Sequence, residues 1–92
     1  MARPKKPRYL GFQPDVFYFK PQGIPLRFLQ EVELQRDELE ALKLHDVDGL
    51  EQVKAASQMK ISQSTFARIL DSAYKKVAQA LIKGQAIRIN RL

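Results

Sequence analysis

The spacing of apolar residues changes twice along the chain, and each change predicts a different kind of element. Val16-Phe17-Tyr18-Phe19 is an unbroken β-branched and aromatic run between Pro14 and Pro21, which predicts a short strand. All five prolines, with Gly11 and Gly23, fall in the first 25 residues, so no helix of ordinary length fits there. From Asp37 the period becomes helical. Leu39, Leu42 and Leu44 predict a first helix near 37–47, with Asp37 as N-cap and Glu40 at its third position in the manner of a capping box. Glu51 to Gln58 predicts a short second helix that offers Val53 and Ala56, with Leu50, to the core. Ser62 then caps a third and longest helix, in which Phe66, Ile69, Leu70, Ala73, Val77, Ala80 and Leu81 recur at steps of three and four until Gly84 stops it. Beyond Gly84 the period becomes two in Ala86-Ile87-Arg88-Ile89, the one other good strand candidate. The two strands are expected to pair, within one chain or between two.

Length and composition narrow this picture. Ninety-two residues with 45% apolar content suit a single domain over 1–92 with one modest core, its helical part at 37–83. No cysteine is present and histidine occurs once, at His45, so no thiolate or multi-histidine metal site is expected, and no cofactor is implied. The N-terminus is basic but leads to no signal-like apolar run, and no membrane-length apolar stretch follows, which together point to the cytoplasm and to no membrane partner.

The net charge of +6 is unevenly placed: residues 1–30 carry +5, residues 31–51 carry −6 and residues 52–92 carry +7. Cationic stretches flanking an acidic one are expected of a protein that meets a polyanion, because concentrated positive charge steers association with phosphates. Merely solvated charged faces would give the same totals, so the charge acquires meaning only with a motif.

The motif lies across the second and third helices. A helix-turn-helix needs a small residue where its helices cross and apolar residues at fixed offsets to lock the angle. Counted from Gln52, Ala56 is the small fifth residue, Met59 and Ile61 bracket the turn, and Phe66 and Ile69 anchor the second helix. The ninth position, where glycine commonly enters left-handed backbone space, is Lys60, at a cost on the order of 1 kcal/mol. An ordinary three-helix bundle would bury the same Ala56, Phe66 and Ile69 as plain core.

Ala2-Arg-Pro-Lys-Lys-Pro-Arg8, Tyr18-Phe-Lys-Pro21, Gly23-Ile-Pro-Leu26, Asp37-Glu-Leu-Glu-Ala-Leu42, Ser62-Gln-Ser-Thr-Phe66 and Arg68-Ile-Leu70 together resemble an uncharacterised family of small prokaryotic helix-turn-helix proteins, whose members are similar to region 4 of bacterial sigma factors. The resemblance covers nearly the whole chain and implies a sigma-like helix-turn-helix without a wing, and DNA binding with no target attached. Lys60 departs from the glycine usual in that motif. The expected fold is therefore mainly α: a three-helix, sigma region 4-like helix-turn-helix domain with an extended, proline-rich N-terminal segment and a short strand at each end.

On this reading Gln63, Ser64, Ala67 and Arg68 face the base edges in the major groove. Arg68 can bond both acceptors of guanine and Gln63 can pair with adenine; a phosphate contact, or an ion pair with Asp71, is the alternative for Arg68. Ser62, Thr65, Lys60 and Lys75 are candidates for the DNA backbone, with the hydroxyls of Ser62 and Thr65 equally suited to capping. Residues 1–8 are expected to form a flexible basic arm in which Arg3, Lys5, Lys6 and Arg8 follow the backbone or enter a minor groove; a solvated tail is the plain alternative. Lys75, Lys76 and Lys83 lie beyond the reading turns and add sequence-independent attraction or solubility. The acidic stretch is expected to face away from DNA and could instead meet another protein. Phe12, Phe17, Tyr18, Phe19 and Phe28 are assigned to core or dimer packing in preference to base stacking, and His45 to a helix surface or partly buried position.

Three classes of function are compared. The chain supplies no nucleophile with a base, no ligand cluster and no glycine-rich phosphate loop, and Glu38 with Glu40 reads as the charge preference of a helix N-terminus, so no catalytic residue is assigned and an enzyme is not expected. A transcriptional regulator reading double-stranded DNA through the helix that starts near Ser62 is the leading reading; an adaptor that uses a sigma-like fold to bind the transcription machinery, RNA polymerase included, is the alternative. Helix-turn-helix readers commonly act as two copies on a two-fold axis, so a homodimer is expected, joined through the strands or the end of the third helix.

Overall fold

A computed structural model of the chain describes residues 8–91. In chain order it contains β1 (Tyr18–Phe19), a 3-10 turn (Leu26–Phe28), β2 (Glu31–Leu34), α1 (Arg36–Leu42) continuing into a π turn (Lys43–Val47), α2 (Gln52–Gln58), α3 (Gln63–Lys83) and β3 (Ala86–Ile89). Three helices and a small sheet are thus present, with about half of the chain helical. Arg3, Lys5 and Lys6 lie outside the described residues.

The two expected strands pair within one chain. β3 is the central strand, antiparallel to β1 with Phe19 opposite Ile87, and parallel to β2 with Glu31 opposite Ala86 and Leu34 opposite Ile89. β2 corrects the expectation of only two strands. Its Glu-Val-Glu-Leu alternation is a half-buried strand: Val32 and Leu34 are buried, while Glu31 and Glu33 look outward onto Arg88 of β3, at 3.2 and 2.7 Å. Parallel strands need a long crossover, and here all three helices form it.

Each helix boundary has a local cause. The N-cap of α1 lies two residues before the expected Asp37: Gln35 caps the helix, and Glu38 closes the capping box by accepting from the Gln35 N–H at 2.8 Å. Asp37 therefore sits in the first turn, and Glu40 turns inward to accept the Phe12 N–H at 2.9 Å. The two carboxylates Glu38 and Glu40 are both buried: Glu38 holds the first-turn place expected at a helix N-terminus, whereas Glu40 lies beyond that turn and is placed by its bond to Phe12, which corrects its reading as a helix-end charge preference. α3 behaves as its sequence predicts at both ends. Ser62 Oγ accepts from the Thr65 N–H at 3.1 Å, and Gly84 stops the helix with φ +64°, a left-handed conformation that costs glycine no Cβ clash.

Two apolar clusters hold the elements together. Ala41 and Leu44, Ala55, Ala56 and Met59, and Phe66, Ile69 and Leu70 pack α1 and its π turn, α2 and α3 against one another. Leu34, Ala73 and Ile89 join the sheet to α3, and Leu42 touches both clusters. Val53 and Leu81, expected in the core, are 58% and 75% exposed. α2 is only seven residues long and spends its buried face on Ala55, Ala56 and Met59, and Ala80 is the last α3 side chain to be covered. His45 is half-buried, with Nδ1 2.7 Å from the Leu50 carbonyl; because a carbonyl only accepts, Nδ1 carries the proton.

Glu38 also ties α1 to α3. It accepts from Lys76 Nζ at 2.8 Å and from the Ser72 hydroxyl. Burial pushes its carboxyl pKa up, but the hydrogen bonds from Lys76, Ser72 and the Gln35 N–H, with the charge of Lys76, outweigh that and hold it below its ordinary value of 4.5. A carboxyl depressed on folding stabilises the fold fully above its unfolded pKa, and that stability is lost as pH falls through the folded value. Glu38→Gln is therefore expected to destabilise the protein at neutral pH and to flatten the loss of stability below pH 4.5, read from urea denaturation at a series of pH values. Lys60 has φ +58°, a left-handed conformation in a residue with a side chain. Lys60→Gly is expected to raise stability by about 1 kcal/mol, measured by the same denaturation at pH 7.

Candidate nucleic-acid interface

The exposed polar face of α3 is built by what lies under it. Phe66 and Ile69 anchor the first turns of the helix, so Gln63, Ser64, Ala67 and Arg68 are left on the opposite, exposed side. The connection from α2 fixes where this face begins. The Ile61 N–H bonds the Ala56 carbonyl at 3.1 Å and the Lys60 N–H bonds that of Ser57 at 3.1 Å, with Met59 buried beneath and Ile61 half-buried. All five apolar positions singled out in the sequence, Ala56, Met59, Ile61, Phe66 and Ile69, belong to this one packed unit.

The hydroxyls at the start of α3 are already partly engaged. Ser62 Oγ lies 2.9 Å from Thr65 Oγ1 and 3.2 Å from Ser64 Oγ in addition to its capping bond. Arg68 does not pair with Asp71, as one alternative had it; Asp71 is matched to Lys75 one turn on, at 3.1 Å, and both are exposed. The guanidinium of Arg68 makes no hydrogen bond or ion pair with any described residue. Lys75, a candidate for the DNA backbone, has its ammonium drawn onto Asp71 and lies about two turns beyond Arg68.

Arg8 is not part of a free arm. Its side chain is 21% exposed and lies 3.5 Å from Asp37, although its Nε, shielded from solvent, makes no hydrogen bond to a described residue. It borders a hollow of about 170 Å³ with Ile61, Ser62 and Thr65, and another of about 210 Å³ with Arg68 and Ser72. The next residue is pinned as well: the Tyr9 N–H bonds the Met59 carbonyl at 3.0 Å, and Lys60 Nζ sits 5.6 Å from the Tyr9 ring centroid. The chain therefore passes the start of α3 at Arg8 and Tyr9.

The acidic stretch has an internal use. Of its eight carboxylates, seven have a partner within the chain: Glu31 and Glu33 pair with Arg88, Asp37 with Arg8, Glu38 with Lys76 and Asp48 with Lys43, while Glu40 accepts from the Phe12 N–H and Asp46 from the Tyr74 hydroxyl. This neither frees a strongly acidic face for a partner nor opposes the cations near α3. Lys54 was not singled out from the sequence, yet it is exposed on α2 with Ser57 and Gln58 at i+3 and i+4, on the side away from Ala55 and Ala56. That helical spacing was available as a signal. The aromatic set divides: Phe17 packs beside the sheet cluster with Arg91 3.9 Å over its ring, Phe12 is half-buried, and Phe19 and Phe28 are 53% and 68% exposed. No described helix is long and apolar enough to cross a membrane.

A family model described as "Protein of unknown function DUF134" matches residues 1–91. A UPF0251 protein of Caldanaerobacter subterraneus subsp. tengcongensis is 53% identical over 89 residues, which is 97% of this chain and 75% of the relative. UPF0251 proteins of a Thermoanaerobacter species and of Dehalococcoides mccartyi are 51% and 55% identical over 89 residues, 97% of this chain in each case and 79% and 76% of the relatives. No solved structure matches the chain.

The capping geometry at Ser62 separates two roles of its hydroxyl. Ser62→Ala should cost about 1 kcal/mol of stability in chemical denaturation, while Ser62→Asp, which keeps a capping acceptor, should stay near the parent protein. Equal losses in both variants would show that the hydroxyl does not act as the cap.

Proposed function

The chain belongs to the DUF134 family, and for it we propose a transcriptional regulator that binds duplex DNA, with the first turns of α3 in the major groove. The observation that carries this reading is the connection between α2 and α3. Lys60 takes the left-handed conformation at the ninth position counted from Gln52, where a helix-turn-helix commonly uses glycine, and buried Ala56 is the small residue where the helices cross. The Ile61 and Lys60 N–H bonds to the Ala56 and Ser57 carbonyls form a left-handed helix stop of a kind that ends many helices, and here it falls at the offset a helix-turn-helix uses. The arrangement suits a helix-turn-helix of the kind found in sigma factor region 4.

The exposed side of the helix has the chemistry that groove reading needs. Arg68, unpaired among the described residues, offers a fork of donors to O6 and N7 of guanine, and Gln63 on the preceding turn offers the amide that matches adenine. Each such bidentate contact discriminates by about 1–3 kcal/mol. Ser64 and Ala67 between them are small and let the backbone of α3 approach the bases. Ser62 and Thr65 at the helix start, with Lys60 just before it and Lys54 exposed on α2, are suited to phosphate oxygens, which set register without reading sequence; Arg8 borders the helix start but is drawn onto Asp37.

Selection of bound duplexes from a randomised pool, at two salt concentrations, tests the reading. A defined motif is expected, bound about 10- to 100-fold more weakly by Arg68→Ala, whereas Lys54→Ala should weaken all sequences alike and reduce the salt dependence. Salt-sensitive binding without a motif, or no binding, would overturn it. If the Gln63 and Arg68 variants keep an interaction with RNA polymerase while no DNA motif emerges, the adaptor reading replaces it.

A further inference from the structure

Among the described residues, eleven large apolar side chains are exposed, and six of them collect at one end of the molecule: Phe19, Ile24, Leu26, Phe28, Leu81 and Ile82. The sheet register explains why. Phe19 opposite Ile87 and Glu31 opposite Ala86 bring the end of β1 and the start of β2 to the same end of β3, where the chain arrives from α3 through Gly84 and Gln85. Residues 20–30 must cross that end, and they are held there by the Ala86 N–H on the Gln30 carbonyl at 2.9 Å and by Gln85 Nε2 on Gln30 Oε1 at 3.3 Å. A hollow of about 370 Å³ opens in the middle, between Phe19, Pro21, Leu81 and Ile87.

We infer that this apolar end is where a second copy of the same chain docks, making the protein a two-fold symmetric dimer. A two-fold interface must be complementary to itself, and this end carries both halves of a fit. Ala78, Leu81 and Ile82 form an exposed ridge on the last turns of α3, and the hollow lies directly beside Leu81. Lys83 and Arg27 are exposed cations at this end, Arg27 stacked on Phe28 at 4.6 Å, so shape and apolar area, and not charge, favour a second copy. No acidic residue lines the hollow, and Lys20, which does, has its ammonium fixed on the carbonyls of Pro21 and Ile24 at 3.1 and 2.9 Å. The rim amides of Gln30, Gln79 and Gln85 are bonded to one another and, as groups that both donate and accept, can meet copies of themselves.

Size points the same way. At roughly 150–250 Å² for a fully exposed aromatic side chain, and somewhat less for leucine or isoleucine, the six exposed residues offer on the order of 600–700 Å². Brought together in one contact, that area approaches the roughly 800 Å² that each partner contributes to a standard interface. The surface stands on its own observations and does not depend on DNA reading. It adds to that proposal because Leu81 lies thirteen residues beyond Arg68 on α3, about 20 Å along the helix, so docking leaves the reading turns uncovered.

Sedimentation velocity of the full chain without DNA tests the inference, so its outcome is separate from that of DNA selection. A dimer is expected at micromolar concentration, weakened about 30-fold or more by Leu81→Glu and by Ile82→Glu, with unchanged circular dichroism because both side chains are exposed in the monomer. Val53→Glu, at an exposed apolar site on α2, should leave the dimer intact. A monomer throughout the micromolar range, or a dimer that survives both α3 variants, would overturn the proposal.

Discussion

The carboxylate of Glu38 is the point on which the arrangement of the helices depends. It is buried, yet it accepts from the backbone of Gln35, from the Ser72 hydroxyl and from Lys76 Nζ, so one side chain caps α1 and binds that cap to the middle of α3. A buried charge is tolerated only when its lone pairs are satisfied, and satisfying this one requires both helices to be in place. The apolar clusters supply the larger share of the attraction but little direction, because hydrophobic burial is not directional. The Glu38 network adds the geometry that chooses one docking of α1 on α3.

With α3 oriented in this way, the remaining features follow from its length. At 21 residues, about 30 Å, it outreaches the layer it packs on. Its first turns rest on the α1–α2 cluster and expose Gln63, Ser64, Ala67 and Arg68; its middle lies against the sheet through Ala73; its last turn projects Leu81 and Ile82 beyond any cover. One rigid element thus carries a polar face at one end and an apolar ridge at the other. The distance between them keeps the proposed DNA-reading face and the proposed dimer face from competing.

The charge pattern takes on a different meaning in three dimensions. Along the chain, an acidic block between basic ones suggested surfaces of opposite sign. In the fold most of that block is consumed by internal partners, which neutralises several cations from both flanks and leaves Lys54, Lys60 and Arg68 without a carboxylate partner among the described residues. Other exposed cations without such a partner, Lys20, Arg27 and Lys83, lie between β1 and β2 and at the far end of α3. A net charge of +6 does not show this distribution, because totals do not record which charges are already paired.

Features that depend on near neighbours are legible in the residues alone. The Ser62 cap, the Gly84 stop, the helical period of α3 and the alternation of β3 are set by interactions within about one turn or one strand, so residue type and spacing suffice to read them. The strained position of Lys60 was also legible, as a departure from glycine at a fixed offset. Features that depend on distant partners emerge only in the fold. β2 becomes a strand because β3, some fifty residues later, supplies its hydrogen bonds and Arg88 its counter-charge; in isolation its two glutamates look like part of an acidic stretch. Gln35 in place of Asp37 caps α1 because Glu38 is held inward by Lys76 and Ser72. Leu81 has the spacing of a core residue, but the sheet ends before it does, and periodicity records which face a residue lies on without recording how far the opposite layer extends.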